Sequence, residues 1–599
     1  MAFGKLQFQL FVGDEALPVT EAEIIIISKD TNEAAEGIYS VDGDGKSNEI
    51  TLYTYDKGLS EVPENEVQPY KTYDALILSN KFLNKYIRDI PIFADVKSIQ
   101  KVQMTPKIRG GEDLDIINIP PNALLTQAHG ENDQIQQQEG VYGEDNENSK
   151  ILGKVVIPEY ITVHLGAPSA YAQNVTVPFV DYLKNVASSE IYPTWPKEAL
   201  KANIYAQISF ALNRIFTEWY RSRGYDFDIT NSTAYDQYFV PGRNYFDTVV
   251  NVVDEIFNEY ISRKNFLEPL LAQYCNGTTV TCAGLSQWGT VDYANAGDSA
   301  FTILTKYYGD NIELRNADIV QGVVASYPGK VLKVGSEGED VKTIQRQLNR
   351  IRQNYPGIPK IGKENGIFDD PTKNAVKKFQ EIFNLTPDGI VGKQTWYKIS
   401  QIYVGVKKLA ELQSEGEDIP VPNVPPTSVL KYGSNGEEVR LAQYLLSAIS
   451  AFYSNVLPTE VTGCFGDETL NSVSSFQQAF GLNVDGIIGK DTWRKLIAVY
   501  KSIEPYILTS SGKFIKYPGY LIKYGARGEE VRLIQTWLEG LSKVYSFIPS
   551  VDVDGIFGPK TLESVIMFQT WAGLVADGIV GPVTWDRLYE EYRNIVLGI

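Results

Sequence analysis

The feature that most constrains this chain is an internal repeat that occurs three times in its C-terminal half. The first copy opens Leu332-Lys333-Val334-Gly335 and runs through Val341, Ile344, Gln345 and Leu348 to Gly366-Ile367-Phe368, Phe379-Gln380, Asp388-Gly389-Ile390-Val391-Gly392 and Thr395-Trp396. The second repeats these landmarks from Leu430-Lys431-Tyr432-Gly433 through Gln443, Gly463-Cys464-Phe465, Phe476-Gln477 and Asp485-Gly486-Ile487-Ile488-Gly489 to Thr492-Trp493. The third runs from Ile522-Lys523-Tyr524-Gly525 through Gln535, Gly555-Ile556-Phe557, Phe568-Gln569 and Asp577-Gly578-Ile579-Val580-Gly581 to Thr584-Trp585. Each unit spans about 60 residues, and the starts at Gly335, Gly433 and Gly525 lie 98 and 92 residues apart, which implies compact domains with short linkers. Val341, Ile344 and Leu348 fall on one helix face and Ala375, Val376 and Phe379 on another, so a small three-helix bundle is predicted for 331–403, 429–498 and 520–592. The Asp-Gly pairs read as tight turns in which glycine takes angles denied to other residues. Trp396, Trp493, Trp585 and Cys464 are expected in the unit cores.

The chain has 599 residues, about four domains at roughly 150 residues each, so further cores must precede the repeats. Its 74 acidic and 55 basic residues leave a net charge of -19, which excludes a sequence-independent nucleic-acid binder. Three cysteines and two histidines exclude a dense disulfide scaffold and histidine-rich metal sites. No apolar run approaches the roughly 20 residues that cross a bilayer, so no transmembrane segment is expected. The opening Met1 to Lys5 and the alternating residues after it lack the sections of a secretory signal.

Residues 1–108 alternate as strands, in Leu6 to Leu10, Glu23 to Ile27, Glu49 to Tyr55 and Tyr73 to Leu78, and predict an all-β sandwich. Residues 109–154, with Gln134 to Gln138 and the polar run Gly143 to Ser149, predict an exposed linker where proteolysis would free everything beyond a prodomain. Residues 155–327 read as a mainly helical α+β domain and are the expected seat of the chemistry. Pro193 interrupts one helix and Pro196 starts the next, leaving Glu190 at the junction among Val186, Ile191 and Trp195. Partial desolvation there would raise its pKa and suit it to give up a proton near neutral pH.

The triple repeat resembles the peptidoglycan-binding domain of cell-wall hydrolases, which implies that Asp388-Gly389, Asp485-Gly486 and Asp577-Gly578 border grooves for glycan strands and peptide stems. Three tethered weak sites on a repetitive polymer would multiply avidity. The runs Asp181 to Glu190, Trp195-Pro196, Glu198 to Asn203, Gly284 to Gly289 and Ile303 to Tyr308 look like the catalytic core of the stage II sporulation protein D lytic transglycosylases. The stretches Tyr205 to Phe216 and Gly224 to Thr230 are closer still to clostridial spore cortex-lytic enzymes of germination.

These resemblances imply a lytic transglycosylase with Glu190 as general acid and with Lys201, Asn203, Ser286, Gln287 and Tyr308 contacting substrate or shaping its cleft. Asn203 stands where the sporulation family commonly has glutamine. They also imply action in the spore cortex or cell wall, an activating protease and no cofactor. Without a signal peptide, packaging in the mother cell, lysis or a phage-like apparatus would deliver the chain. The sporulation protein builds a metal site from cysteines and a histidine. Here Cys275 and Cys282 lie seven apart while His129 and His164 are distant, so a disulfide or a reduced pair is expected and no metal site. A muramidase using Asp226 or Asp228, and a noncatalytic wall-binding scaffold, remain the alternatives.

Overall fold

A computed structural model of the chain describes residues 2–29, 37–63, 68–108, 114–125, 154–278, 280–317, 319–321, 327–417, 429–509, 517–518, 520–572 and 574–592. They form two compact units, divided between Pro505 and Tyr506.

The N-terminal strands are β1 (Ala2–Val12), β2 (Leu17–Pro18), β3 (Glu23–Ser28), β4 (Gly37–Ser40), β5 (Ile50–Thr54), β6 (Lys71–Leu78), β7 (Asn84–Ile92), β8 (Lys97–Gln103) and β9 (Leu114–Asn118). One sheet has the order β4-β3-β6-β7-β9 and the other is built around β8-β1-β2, with β5 also on β1. The predicted alternation holds: Leu6, Phe8 and Leu10 are buried on β1, as are Ile24 and Ile26 on β3. Two features differ from the expected boundaries. Strand β9 falls within the predicted linker yet pairs in parallel with β7 from Leu114 to Asn118. The second sheet also takes in Tyr245–Phe246, which pair antiparallel with Ile99 and Ser98 of β8.

The N-terminal layer is therefore continuous with the middle region. Phe93 packs on Tyr192 and Phe246 at centroid distances of 5.6 and 5.2 Å, within one buried cluster. Lys101 bridges Glu15 at 3.0 Å and Asp181 at 2.8 Å, and Lys398 of the first repeat reaches Glu15 at 2.8 Å. Pairing of this kind offsets the cost of taking these charges out of water.

The middle region is built on five helices: α1 (Phe179–Glu190), α2 (Lys197–Phe216), α3 (Asp247–Ile256), α4 (Gln287–Asn295) and α5 (Ala300–Tyr308). Helix α2, which starts just after Pro196 as predicted, is buried on nearly every side. It is the hub on which α1, α3, α4 and α5 pack.

Each repeat contributes three helices. They are α6 (Glu339–Ile351), α7 (Asp370–Ile382) and α8 (Lys393–Glu417), then α9 (Glu437–Ser450), α10 (Asp467–Ala479) and α11 (Lys490–Thr509), then α12 (Glu529–Ser542), α13 (Pro559–Trp571) and α14 (Pro582–Tyr592). Matching bridges tie the copies in register, Leu332 to Val391, Leu430 to Ile488 and Ile522 to Val580. Trp396, Trp493 and Trp585 are buried as expected. Cys464 is not the core residue its position suggested: it is exposed, like its counterparts Ile367 and Ile556.

Candidate functional site

Glu190 is the last residue of α1 and only 3% exposed. Three donors converge on its carboxyl. Tyr238 gives its backbone N–H to Oε1 at 2.7 Å, while Gln207 Nε2 and the Tyr274 hydroxyl reach Oε2 at 2.8 and 2.7 Å. Behind them Gln237 donates to the Tyr274 hydroxyl at 3.1 Å and accepts from the Tyr182 hydroxyl at 2.9 Å. Burial pushes the Glu190 pKa up to about 7, although the hydrogen bonds from Tyr238, Tyr274 and Gln207 favour the charged form. Desolvation outweighs three bonds, and it brings the carboxyl into the range in which a group can exchange a proton near neutrality.

The other residues singled out in the sequence divide. Gln287 Nε2 lies 3.4 Å from the Glu190 backbone carbonyl. Tyr308 bonds the carbonyl of Gln273, the neighbour of Tyr274, at 2.8 Å. Ser286 caps α4 by accepting from the Gly289 N–H at 3.0 Å. Asn203 Nδ2 bonds Thr290 Oγ1 at 2.8 Å, and Lys201 pairs with Glu255 of α3 at 2.5 Å, so neither bonds Glu190. Gln207, one helical turn beyond Asn203, is the α2 amide that reaches the carboxyl.

Cys275 and Cys282 form a disulfide that closes the loop directly after Tyr274. His164 hydrogen-bonds Asn174 Oδ1 at 2.8 Å and the Ala167 carbonyl at 3.1 Å, and stacks on Phe227. These residues do not fit the cysteine-histidine metal set of the sporulation family. Among the described residues no group of three or more His, Cys, Asp or Glu is placed to hold a metal ion.

Asp226 and Asp228 lie elsewhere. Asp226 accepts from Asn174 at 2.9 Å, and Asp228 from the Thr162 N–H and Arg221 at 2.8 and 2.9 Å. Both line a cleft of about 770 Å³ shared with Glu460 and Thr462 of the second repeat.

In the repeats, the Asp-Gly turns are held from inside by glutamine. Gln380, Gln477 and Gln569 donate to Asp388, Asp485 and Asp577 at 2.9, 2.8 and 3.0 Å. Their amide oxygens accept from Gly389, Gly486 and Gly578 at 2.8, 2.9 and 2.9 Å. The glycines sit at φ of +71°, +66° and +68°, and a Cβ at Gly578 would lie 2.3 Å from Leu562 Cδ1. Gln345, Gln443 and Gln535 hold Gly366, Gly463 and Gly555 in the same way. The Phe-Gln pairs were visible as repeat landmarks, but nothing local assigned the glutamines this task. Apolar side chains stand exposed at matching positions of the three units: Val331, Val429 and Leu521, then Val334, Tyr432 and Tyr524.

Two family models match the chain. One, a putative peptidoglycan binding domain, matches residues 337–399, 435–496 and 527–588. The other, stage II sporulation protein, matches 169–256 and so includes Glu190. The chain is similar to the N-acetylmuramoyl-L-alanine amidase CwlL of Bacillus licheniformis, 34% identical over 29% of this chain and 47% of the relative. A probable N-acetylmuramoyl-L-alanine amidase of the same organism is 34% identical over 27% and 44%. The zinc D-Ala-D-Ala carboxypeptidase of Streptomyces albus G is 39% identical over 11% and 25%. The chain spans about half the length of these two amidases. No helix among the described residues is long and apolar enough to cross a membrane.

Proposed function

We propose that this chain is a peptidoglycan lytic transglycosylase whose repeats hold it on the wall while Glu190 cleaves the glycan. The observation that carries the reading is the buried Glu190 carboxyl, its pKa pushed up to about 7 by burial, within the segment similar to the stage II sporulation protein. Glu190 protonates the glycosidic oxygen between N-acetylmuramic acid and N-acetylglucosamine. The bond from that oxygen to the muramic anomeric carbon breaks, and positive charge develops on the carbon. The Glu190 carboxylate then takes the proton of the muramic 6-hydroxyl as its oxygen bonds that carbon, closing a 1,6-anhydro ring. One residue serves as acid and then base, no water is consumed and no cofactor is required. Inverting and retaining hydrolysis need a second carboxylate.

The repeats support the tethering half of this reading. Their Asp-Gly turns act as rigid frames, and the exposed Val334, Tyr432 and Tyr524 offer apolar faces on which sugar rings and stem peptides pack. The substrate is spore cortex or cell-wall peptidoglycan outside the cytoplasm, and an activating protease cuts between the N-terminal layer and the middle region. That cut, expected between Gly110 and Lys154, falls largely on 126–153, outside the described residues.

Mass spectrometry of soluble products from purified peptidoglycan tests the chemistry. The proposal expects 1,6-anhydro-muropeptides. Reducing muramic ends would point to a muramidase, for which Asp226 and Asp228 in their cleft are the candidates. Free amino groups with intact glycan would point to the activity named in the amidase relatives.

A further inference from the structure

Residues 119–125 lie as a strap along the end of α1 that carries Glu190. Ala123 donates its N–H to the Ser189 carbonyl at 2.8 Å, and Asn122 Nδ2 reaches the Ser188 and Ile191 carbonyls at 3.4 and 3.2 Å. Those are carbonyls that a helix end leaves without intrahelical partners. The Tyr70 hydroxyl accepts from the Asn122 N–H at 3.1 Å, so the N-terminal layer fixes the strap in place.

The two preceding carbonyls face Arg243. Its Nη2 lies 2.6 Å from the Pro120 carbonyl and 3.4 Å from that of Pro121. Arg243 is 3% exposed, no ion pair is formed by it among the described residues, and its Nε has no partner. Burial pulls its pKa down to about 10, with only the Tyr70 and Tyr238 hydroxyls opposing. A buried guanidinium served by two neutral carbonyls is a costly arrangement, since buried cations ordinarily hold a carboxylate. It sits five residues after Tyr238, whose N–H holds Glu190. Ser188 Oγ and Ser189 Oγ on α1, Gln207 Oε1 on α2 and Asn244 Oδ1 next to Arg243 are also buried without partners. Native interiors leave few such groups, and here they gather on the segments that surround one acid.

Resting on the Glu190 reading above, we propose that Arg243 is the seat for the acyl oxygens of the muramic lactyl arm, and that the strap holds this seat with its Pro120 and Pro121 carbonyls until substrate displaces it. The guanidinium fork matches paired oxygen acceptors, and the lactyl arm is the branch of the glycan strand that bears a carboxyl function. In peptide-substituted strands the acceptors are amide carbonyls, the same chemistry as the strap. In peptide-stripped strands the acceptor is the free lactyl carboxylate.

The test uses the full chain and both kinds of strand. Asn122→Ala removes the strap's side-chain bonds to α1 and is expected to raise turnover about fivefold, as the loss of one net hydrogen bond would. Arg243→Gln is expected to raise KM at least tenfold with a smaller change in kcat, in both the parent and the Asn122→Ala background. Arg243→Lys should fall between. Hydrogen exchange supplies a readout independent of turnover. Saturating soluble disaccharide-peptide fragments should speed exchange at residues 122–125 in the parent and leave it unchanged in a folded Arg243→Gln protein. The strand type on which KM depends on Arg243 identifies the acceptor. An unchanged KM on both types, or strap amides indifferent to the fragments, overturns the proposal. Glu190→Gln in the Asn122→Ala background separates the layers. If it stays active, the Glu190 reading falls whatever Arg243 does; if it is inactive while Arg243→Gln keeps the parental KM, only the strap proposal falls.

Discussion

The middle region and the repeats contain the same local contact with opposite consequences. In both, a glutamine amide donates to a carboxylate oxygen, at 2.8 Å from Gln207 to Glu190 and at 2.8 and 3.0 Å from Gln477 to Asp485 and Gln569 to Asp577. Glu190 is pushed up to about 7 by burial, whereas Asp485 and Asp577 are held below the usual range, chiefly by the N–H groups of Ile487 and Ile579. The aspartates are exposed, so their hydrogen bonds act with little desolvation against them. The glutamine contact therefore does not decide protonation. Burial does, and it separates a carboxyl suited to proton transfer from carboxylates suited to holding a turn.

Substitution should widen this contrast most at the level of turnover. Glu190→Gln is expected to lower peptidoglycan solubilisation at least 100-fold, the scale of a lost general acid, while Asp485→Asn and Asp577→Asn stay within about twofold of the parent. A comparable loss at either aspartate would break the distinction.

The next effect is on stability against pH. Glu190 has a folded pKa raised above its unfolded value, so the unfolded state ionises first as pH rises. Its contribution is most favourable below about 4.5, is lost progressively up to about 7 and changes little above that. A rise from about 4.5 to about 7 corresponds to roughly 3 kcal/mol. Melting curves from pH 4 to 8 should show this slope in the parent and a shallower one in Glu190→Gln; parallel slopes would contradict it.

A smaller effect belongs to the turns. Gln569→Ala removes one of the donors to Asp577 and the acceptor of the Gly578 N–H and should destabilise the third unit by about 1 to 3 kcal/mol, read as a lower calorimetric transition for that unit. Asp577→Asn keeps an acceptor for the Ile579 N–H and should shift the same transition by less than about 1 kcal/mol. Equal shifts would mean that the aspartate charge, rather than the glutamine, organises the turn.

The two regions were also unequally legible in the sequence. The repeats announce themselves because their landmarks recur in register, and each bundle closes over contacts between residues near one another in the chain. Glu190 was visible as a carboxyl stranded between two prolines and a helix end. Its surroundings were not: Tyr274 and Tyr238 reach it across 84 and 48 residues, contacts that no local periodicity encodes. Tyr245–Phe246 is too short a strand for alternation to reveal its place on the N-terminal sheet. Cys464 misled because its counterparts are isoleucines, which suggested a core position where the bridge to Asn435 in fact leaves the side chain outside.

The claim beneath these contrasts is that burial raises one carboxyl so that it gives up its proton only near pH 7. Infrared difference titration of the parent against Glu190→Gln measures this directly through the carbonyl stretch of the protonated acid. A band that disappears with a midpoint near pH 7 is the expected result, and a band already gone by pH 5 would contradict the account.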